Sequence, residues 1–164
     1  MTEIVRDGRN WRLEARLWLP VAVEDLFPFF ADAYNLEELT PSMLHFHVMT
    51  PRPIEMKSGA LIDYKLKVHG IPMHWRTEIS EWDPPRGFVD TQLKGPYVLW
   101  HHTHRFEAKD GGTLCTDVVR YRPRGWVLAP VINALLVERD VKQIFAYRST
   151  VLNRMFGDAA KSPA

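Results

Sequence analysis

The chain predicts an α+β fold: a curved antiparallel sheet of about seven strands wrapped around a long C-terminal helix, with two short helices after the first strand. Three observations lead there. Segments of strand-like composition follow one another from Met43 to Arg122, separated by short turn signals. Links that short join antiparallel neighbours, because a parallel pair needs a crossover. From Glu138 to Phe156 the apolar positions Val141, Ile144, Phe145, Val151, Leu152 and Met155 then recur at helical spacing. With 164 residues the chain can bury a core without disulfide or metal staples, so one domain is expected over residues 10–157.

Trp11 to Leu19 alternates, with Leu13, Ala15, Leu17 and Leu19 on one face, and Pro20 ends it. Glu24–Ala31 reads as a short helix rich in phenylalanine, and Asn35–Leu39 as a second, closed by Thr40-Pro41. The strand series is Met43–Thr50, Ala60–His69, Met73–Trp82, Gly87–Lys94, Val98–Ala108 and Thr113–Arg122. Its turns are Ser58-Gly59, Gly70-Ile71-Pro72, Asp83-Pro84-Pro85, Gly95-Pro96 and Asp110-Gly111-Gly112. The apolar stripe of Val131, Ile132, Leu135 and Leu136 points away from that of the terminal helix, which predicts two helical pieces broken near Glu138–Asp140. Residues 1–9 and 158–164 read as flexible termini. A sheet curved around a helix buries one face of each and leaves room for a cavity between them, the helix-grip arrangement.

Composition removes several function classes. Lys+Arg 21 against Asp+Glu 20 leaves no electrostatic footprint for nucleic acid. The single cysteine, Cys115, excludes an internal disulfide framework and every multi-cysteine metal site. The most apolar run, Trp126 to Val137, contains Pro130 and Asn133 and falls short of the ~20 residues a bilayer span needs. With no secretory leader legible, a cytoplasmic location is expected. Nucleophile elbows, phosphate-cradling glycine loops and His-Glu-x-x-His helices are absent from the sequence.

The stretch from Trp18 to Pro41, with Pro20, Phe27, Phe30, Ala31 and Asp32, resembles the opening of the START-like/Bet v 1-like superfamily. This superfamily (SRPBCC) takes in polyketide cyclase/dehydrase and lipid-transport domains. Gly95-Pro96-Tyr97, Trp100-x-His102-x-His104-x-Phe106, Gly112-Thr113, Asp117, Tyr121 and Phe145-x-Tyr147-Arg148 resemble one bacterial branch of it. The resemblance implies the helix-grip fold and no metal. It chooses no reaction, since the superfamily includes carriers, receptors and aromatase/cyclases.

Alternation sorts the histidines. Trp100, His102, His104 and Phe106 share one face of their strand, His101 the other, and the bracketing rings place His102 and His104 inside. A two-residue turn within Asp110-Gly111-Gly112 sets odd positions of the next strand against even ones, so Cys115, Asp117, Val119 and Tyr121 join them. Arg148 falls within the apolar stripe of the terminal helix and needs a buried carboxylate, for which Asp117 and Asp90 are the candidates. Gln92 shares a strand face with Asp90, and alternation leaves open whether that face is the concave one.

Three uses of this cluster are open: a hydrogen-bonded core, a polar anchor for a ligand, or acid–base catalysis by His102 or His104 poised by Asp117. His-x-His with Asp117 also has a metal-ligand spacing, but no fourth ligand stands at a telling distance in sequence, so neither a metal nor another cofactor is expected.

The expected function is binding of a small hydrophobic or amphipathic molecule (a lipid, quinone or polyketide-like compound) between sheet and helix. Tyr64, Trp75, Trp100, His102, His104, Asp117, Tyr121, Ile144, Phe145 and Arg148 are the expected contacts. The mouth is expected near the Gly95–Tyr97 and Ile71–Pro72 turns, with the Trp126–Val137 segment as a lid. The alternatives are a cyclase/dehydratase-type enzyme and a protein-interaction domain with a vestigial cavity. The sequence leaves the oligomeric state open.

Overall fold

A computed structural model describes residues 2–157. The strands are β1 (Thr2–Asp7), β2 (Asn10–Leu19), β3 (His47–Val48), β4 (Leu61–Val68), β5 (Ile71–Asp83), β6 (Gly87–Lys94), β7 (Tyr97–Lys109) and β8 (Gly112–Pro123). They form one antiparallel sheet in the order β1-β2-β8-β7-β6-β5-β4-β3. Two short helices, α1 (Val23–Phe30) and α2 (Leu36–Leu39), follow β2. The chain ends in α3 (Ala129–Ile132), a π-helical turn at Asn133–Val137, and α4 (Glu138–Phe156). The α+β architecture with its long C-terminal helix is the expected one, with eight strands rather than about seven.

The additional strand corrects the expectation that residues 1–9 are frayed. Thr2–Asp7 pairs along its whole length with β2, from Thr2↔Ala15 to Asp7↔Asn10. Gly8, at φ +61°, supplies the positive φ that a two-residue hairpin needs at its first central position. The expected strand Met43–Thr50 is mostly irregular: Ser42–Leu44 is a 3₁₀ turn and His45 adopts a left-handed conformation, so pairing is confined to His47–Val48. The tail 158–164 lies outside the described residues.

The C-terminal segment holds a second correction. No break occurs at Glu138–Asp140, because Val137 and Glu138 both keep helical angles. The phase of the apolar stripe changes instead through the wide turn at Asn133–Val137. That turn buries Asn133 and leaves Val131, Leu135 and Leu136 exposed. From Glu138 onward, Val141, Phe145, Arg148, Val151 and Leu152 form the buried face of α4. Ile144 joins them in part, whereas Met155 is exposed.

Two clusters make the core. One joins Leu19, Leu26, Phe27 and Phe30 from the β2–α1 region to Phe88 and Phe106 of the sheet. The other joins Trp11, Leu13, Val119 and Tyr121 to Val141 and Phe145 of α4. Burying one such side chain stabilises the fold by about 1.5–3 kcal/mol. The sheet bends where β5 pairs with β6. The β5–β6 register shifts at Arg76/Thr77 and again at Ile79/Glu81, and bulges of this kind curve a sheet away from flatness.

Candidate functional site

The curved sheet and α4 enclose a cavity of about 370 Å³, within the ~300–1,000 Å³ common for small-molecule pockets. Tyr64, Trp75, Trp100, Ile144 and Phe145 line it, as do His102, His104 and Arg148. Tyr64 and Trp75 are cross-strand partners on β4 and β5, and the Trp75 indole donates to Thr77 Oγ1 at 3.0 Å. The rings of Trp75 and Trp100 meet edge to face, with centroids 5.3 Å apart. His69, Pro96, Tyr97, Ile132, Leu136 and Val137 bring the β4–β5 turn, the β6–β7 turn and the α3–π-turn segment to the same cavity.

The polar end follows from the β7–β8 hairpin. Asp110 and Gly111 form its two-residue turn, both at positive φ, which sets Trp100↔Tyr121, His102↔Val119 and His104↔Asp117. This is the expected register, and it turns His102, His104 and Asp117 inward together. Two of the expected contacts lie elsewhere than on the cavity wall. Asp117 stands behind the histidines, and Tyr121 is fully buried between the rings of Trp11 and Trp100.

Asp90 completes the cluster. It sits on β6 directly opposite His102 and faces the cavity. Sequence reasoning left its face undecided, although a connection centred on Pro96 pairs even with even positions and so brings Asp90 to the side of His102. Gln92 is drawn out of the site: its side-chain amide donates to Tyr97 O at 2.9 Å and accepts from Tyr97 N at 3.2 Å.

The four side chains interlock. His104 Nε2 lies 2.7 Å from Asp90 Oδ2, and its Nδ1 lies 2.9 Å from Asp117 Oδ1. His102 Nε2 lies 3.0 Å from Asp117 Oδ1, and its Nδ1 lies 3.4 Å from Asp90 Oδ2. The two imidazoles overlap with centroids 3.7 Å apart, and His104 also stacks on Phe88 at 4.1 Å. Arg148 reaches in from α4, its Nη2 3.6 Å from Asp117 Oδ1 and 3.4 Å from His104 Nδ1. The guanidinium thus pairs with Asp117 rather than Asp90.

Both histidines and Arg148 are less than a tenth exposed, so their charges interact with little screening. Burial pushes the Asp117 carboxyl up, but the Arg148 charge and the two imidazoles outweigh it and hold it well below the usual carboxylate range. Asp90 is lowered in the same way, with the histidines offsetting its burial. The imidazoles separate. Burial and its neighbour His104 lower the His102 pKa, whereas the two carboxylates overcome burial and raise that of His104. Cys115 is inert by contrast: burial pushes its thiol up to about 12.

No curated protein matches the sequence. Among solved structures, protein Ms6760 from Mycobacterium smegmatis is 18% identical, with a TM-score of 0.66 over 94% of this chain and 98% of its own. The Zhui aromatase/cyclase from Streptomyces sp. R1128 is 16% identical, with a TM-score of 0.64 over 89% of this chain and 96% of its own. The major latex-like protein 151 of Panax ginseng is 11% identical, with a TM-score of 0.65 over 91% and 99%. These likenesses establish a shared fold. The family model described as polyketide cyclase/dehydrase and lipid transport matches residues 19–147, from the end of β2 into α4. A match over that span takes in β3 to β8 and Asp90, His102, His104 and Asp117, most of the chain, and the chain therefore belongs to the polyketide cyclase/dehydrase and lipid transport family.

Proposed function

We propose that the protein binds a small hydrophobic or amphipathic molecule, of lipid, quinone or polyketide-like character, in the cavity between sheet and α4. The carrying observation is one cavity with two unlike ends. Tyr64, Trp75, Trp100 and Ile144 offer apolar surface, while Asp90, His102, His104 and Arg148 offer a compact polar terminus. Such a wall suits a molecule with an apolar body and one polar end. Among the described residues no helix is long and apolar enough to cross a membrane.

Native mass spectrometry of protein purified from its own host, followed by organic extraction, tests this. A stoichiometric organic molecule released from the chain is the expected result. A clean apo mass, together with failure of an environment-sensitive apolar fluorophore to bind, would overturn it.

A second reading is favoured by one observation: His102 and His104 are adjacent, face the cavity, and have pKa values displaced in opposite directions. Two adjacent imidazoles whose proton affinities are pushed apart suit general acid–base catalysis, as a cyclase or dehydratase requires. His102→Ala separates the two. Loss of turnover with affinity kept within a few fold indicates an enzyme. Affinity weakened by about 1–3 kcal/mol, the cost of losing a buried polar partner, indicates a binding role.

A further inference from the structure

The geometry points to a divalent transition-metal site at the polar end of the cavity, with Asp90 Oδ2, His102 Nδ1 and His104 Nε2 as ligands and Asp117 as the carboxylate that orients both imidazoles. One ligand atom from each of Asp90, His102 and His104 lies within 4.8 Å of the other two. Asp90 Oδ2 is already 2.7 Å from His104 Nε2 and 3.4 Å from His102 Nδ1. Tetrahedral ligands about 2.0–2.2 Å from a zinc-type ion stand about 3.3–3.6 Å from one another, so the Asp90–His102 pair already has that spacing and the Asp90–His104 pair opens by under about 1 Å to admit the ion.

The second carboxylate strengthens the assignment. In metal centres a ligating histidine almost always presents its other ring nitrogen to a carboxylate, carbonyl or water. Here the nitrogens turned away from Asp90 both approach Asp117 Oδ1, at 3.0 Å from His102 Nε2 and 2.9 Å from His104 Nδ1. Asp90, His102 and His104 line the cavity and Asp117 does not, so the ligand atoms stand at the front and the orienting group behind. Arg148, 3.6 Å from Asp117, balances that rear carboxylate.

Both nitrogens of His102 face carboxylate oxygens, Asp117 Oδ1 and Asp90 Oδ2. A metal ion on Nδ1, in place of a second ring proton, leaves Nε2–H for Asp117. Two imidazoles with one carboxylate select zinc, iron(II) or cobalt(II) over magnesium or calcium, which prefer all-oxygen shells. Three protein ligands facing a cavity leave a position open. With two neutral imidazoles, the carboxylates, the guanidinium and the ion sum to one positive charge in excess, which favours an anionic oxygen at that position.

The metal site shares its side chains with the cavity reading but not its test. Calorimetric titration of the chelator-treated full chain with Zn²⁺ is expected to show one saturable site per chain. Asp90→Asn, which preserves shape and hydrogen bonding, abolishes it. Asp117→Asn weakens it about 10–100-fold. A double His47→Asn/His74→Asn variant, which removes surface imidazoles paired with Glu37 and Asp63 and away from the cavity wall, leaves it unchanged. Co²⁺ added to the wild-type chain gives visible d–d absorption that Zn²⁺ displaces, a readout independent of variant folding.

Absence of a saturable site, its survival in Asp90→Asn, its loss in the surface variant, or a featureless Co²⁺ spectrum each overturns the assignment. If the apolar fluorophore still binds the zinc-free protein when these fail, the metal falls and the cavity stands. If zinc binds and the fluorophore does not, the reverse holds.

Discussion

Aromatic rings occupy both ends of the interior, with opposite results. Beneath α1, Phe27, Phe30, Phe88, Phe106 and Trp82 interlock, with centroids of 4.7 Å for Phe30–Phe106 and 5.4 Å for Phe27–Trp82. Around the cavity, Trp75, Tyr97 and Trp100 meet at similar distances, 5.3 Å and 4.8 Å, yet line its wall, which of the first group only Phe30 and Phe88 reach. The covering element makes the difference. At the packed end α1 lays apolar side chains directly on β7 and β8. At the cavity the terminal helix adds Arg148 to its apolar Val141 and Phe145, and the charged cluster meets it on the sheet. One end of the molecule is filled for stability, and the other holds a buried polar arrangement that an all-apolar core would not need.

The sharpest way to break this contrast is at Arg148. Arg148→Met leaves Asp117 buried without its cation, a loss expected to cost about 3–5 kcal/mol in urea unfolding. Combining it with Asp117→Asn removes the stranded charge and should recover much of that cost. If the single variant is as stable as wild type, the cluster is solvated and the comparison fails. Leu26→Ala attacks the packed end, where the side chain is fully buried. It is expected to cost about 2–5 kcal/mol, as a cavity opens in close-packed surroundings. Ligand affinity should stay unchanged, because Leu26 is not on the cavity wall.

Legibility in the sequence follows the same division. The β7–β8 hairpin was readable because Asp110-Gly111 admits essentially one turn type, and that turn dictates which side chains face inward. The cluster of His102, His104 and Asp117 followed from parity alone. Asp90 did not, because the connection from β6 to β7 is irregular and carries no single turn signature. The π turn at Asn133–Val137 was equally hidden. Its phase shift depends on burying Asn133 against the sheet, a tertiary term that periodicity lacks, so the stripe mismatch resembled a helix break. β1 was missed because Thr2–Asp7 alternates weakly and owes its order to pairing with β2. Helix-on-sheet architecture is thus written in local patterns, and the site's completion in contacts between distant ones.

At the cavity itself the expected effects are smaller in stability and larger in function. Trp100→Leu removes a partly exposed ring that borders space, so unfolding should change by less than about 1.5 kcal/mol. Binding of an apolar fluorophore should weaken several-fold, measured by fluorescence titration. A large loss of stability with unchanged binding would mean that Trp100 belongs to the packed end.

The finest distinction is in pH. In chelator-treated protein the Asp117 carboxyl is held well below the usual range, since Arg148 and the histidines outweigh its burial. A folded pKa depressed below the unfolded value means stability that is fully present above about pH 4, the unfolded aspartate value. It is lost as pH falls through the depressed folded value. Asp90 shares the direction and adds to the same slope. His102 and His104 shift oppositely and so oppose each other near their ordinary range, which leaves the carboxylates to govern the acid limb. The stability difference between wild type and Asp117→Asn, measured by urea unfolding at descending pH, should therefore shrink below about pH 4. It should also narrow as pH rises through the raised His104 value, because Asp117 is among the groups that raise it. A Leu26→Ala difference should show no such dependence, because no titrating group lies in that cavity's making. If both differences fall together, acid loosens the whole interior and the polar end has no separate electrostatic identity. If only the Asp117 difference shrinks, the two ends are held by different forces.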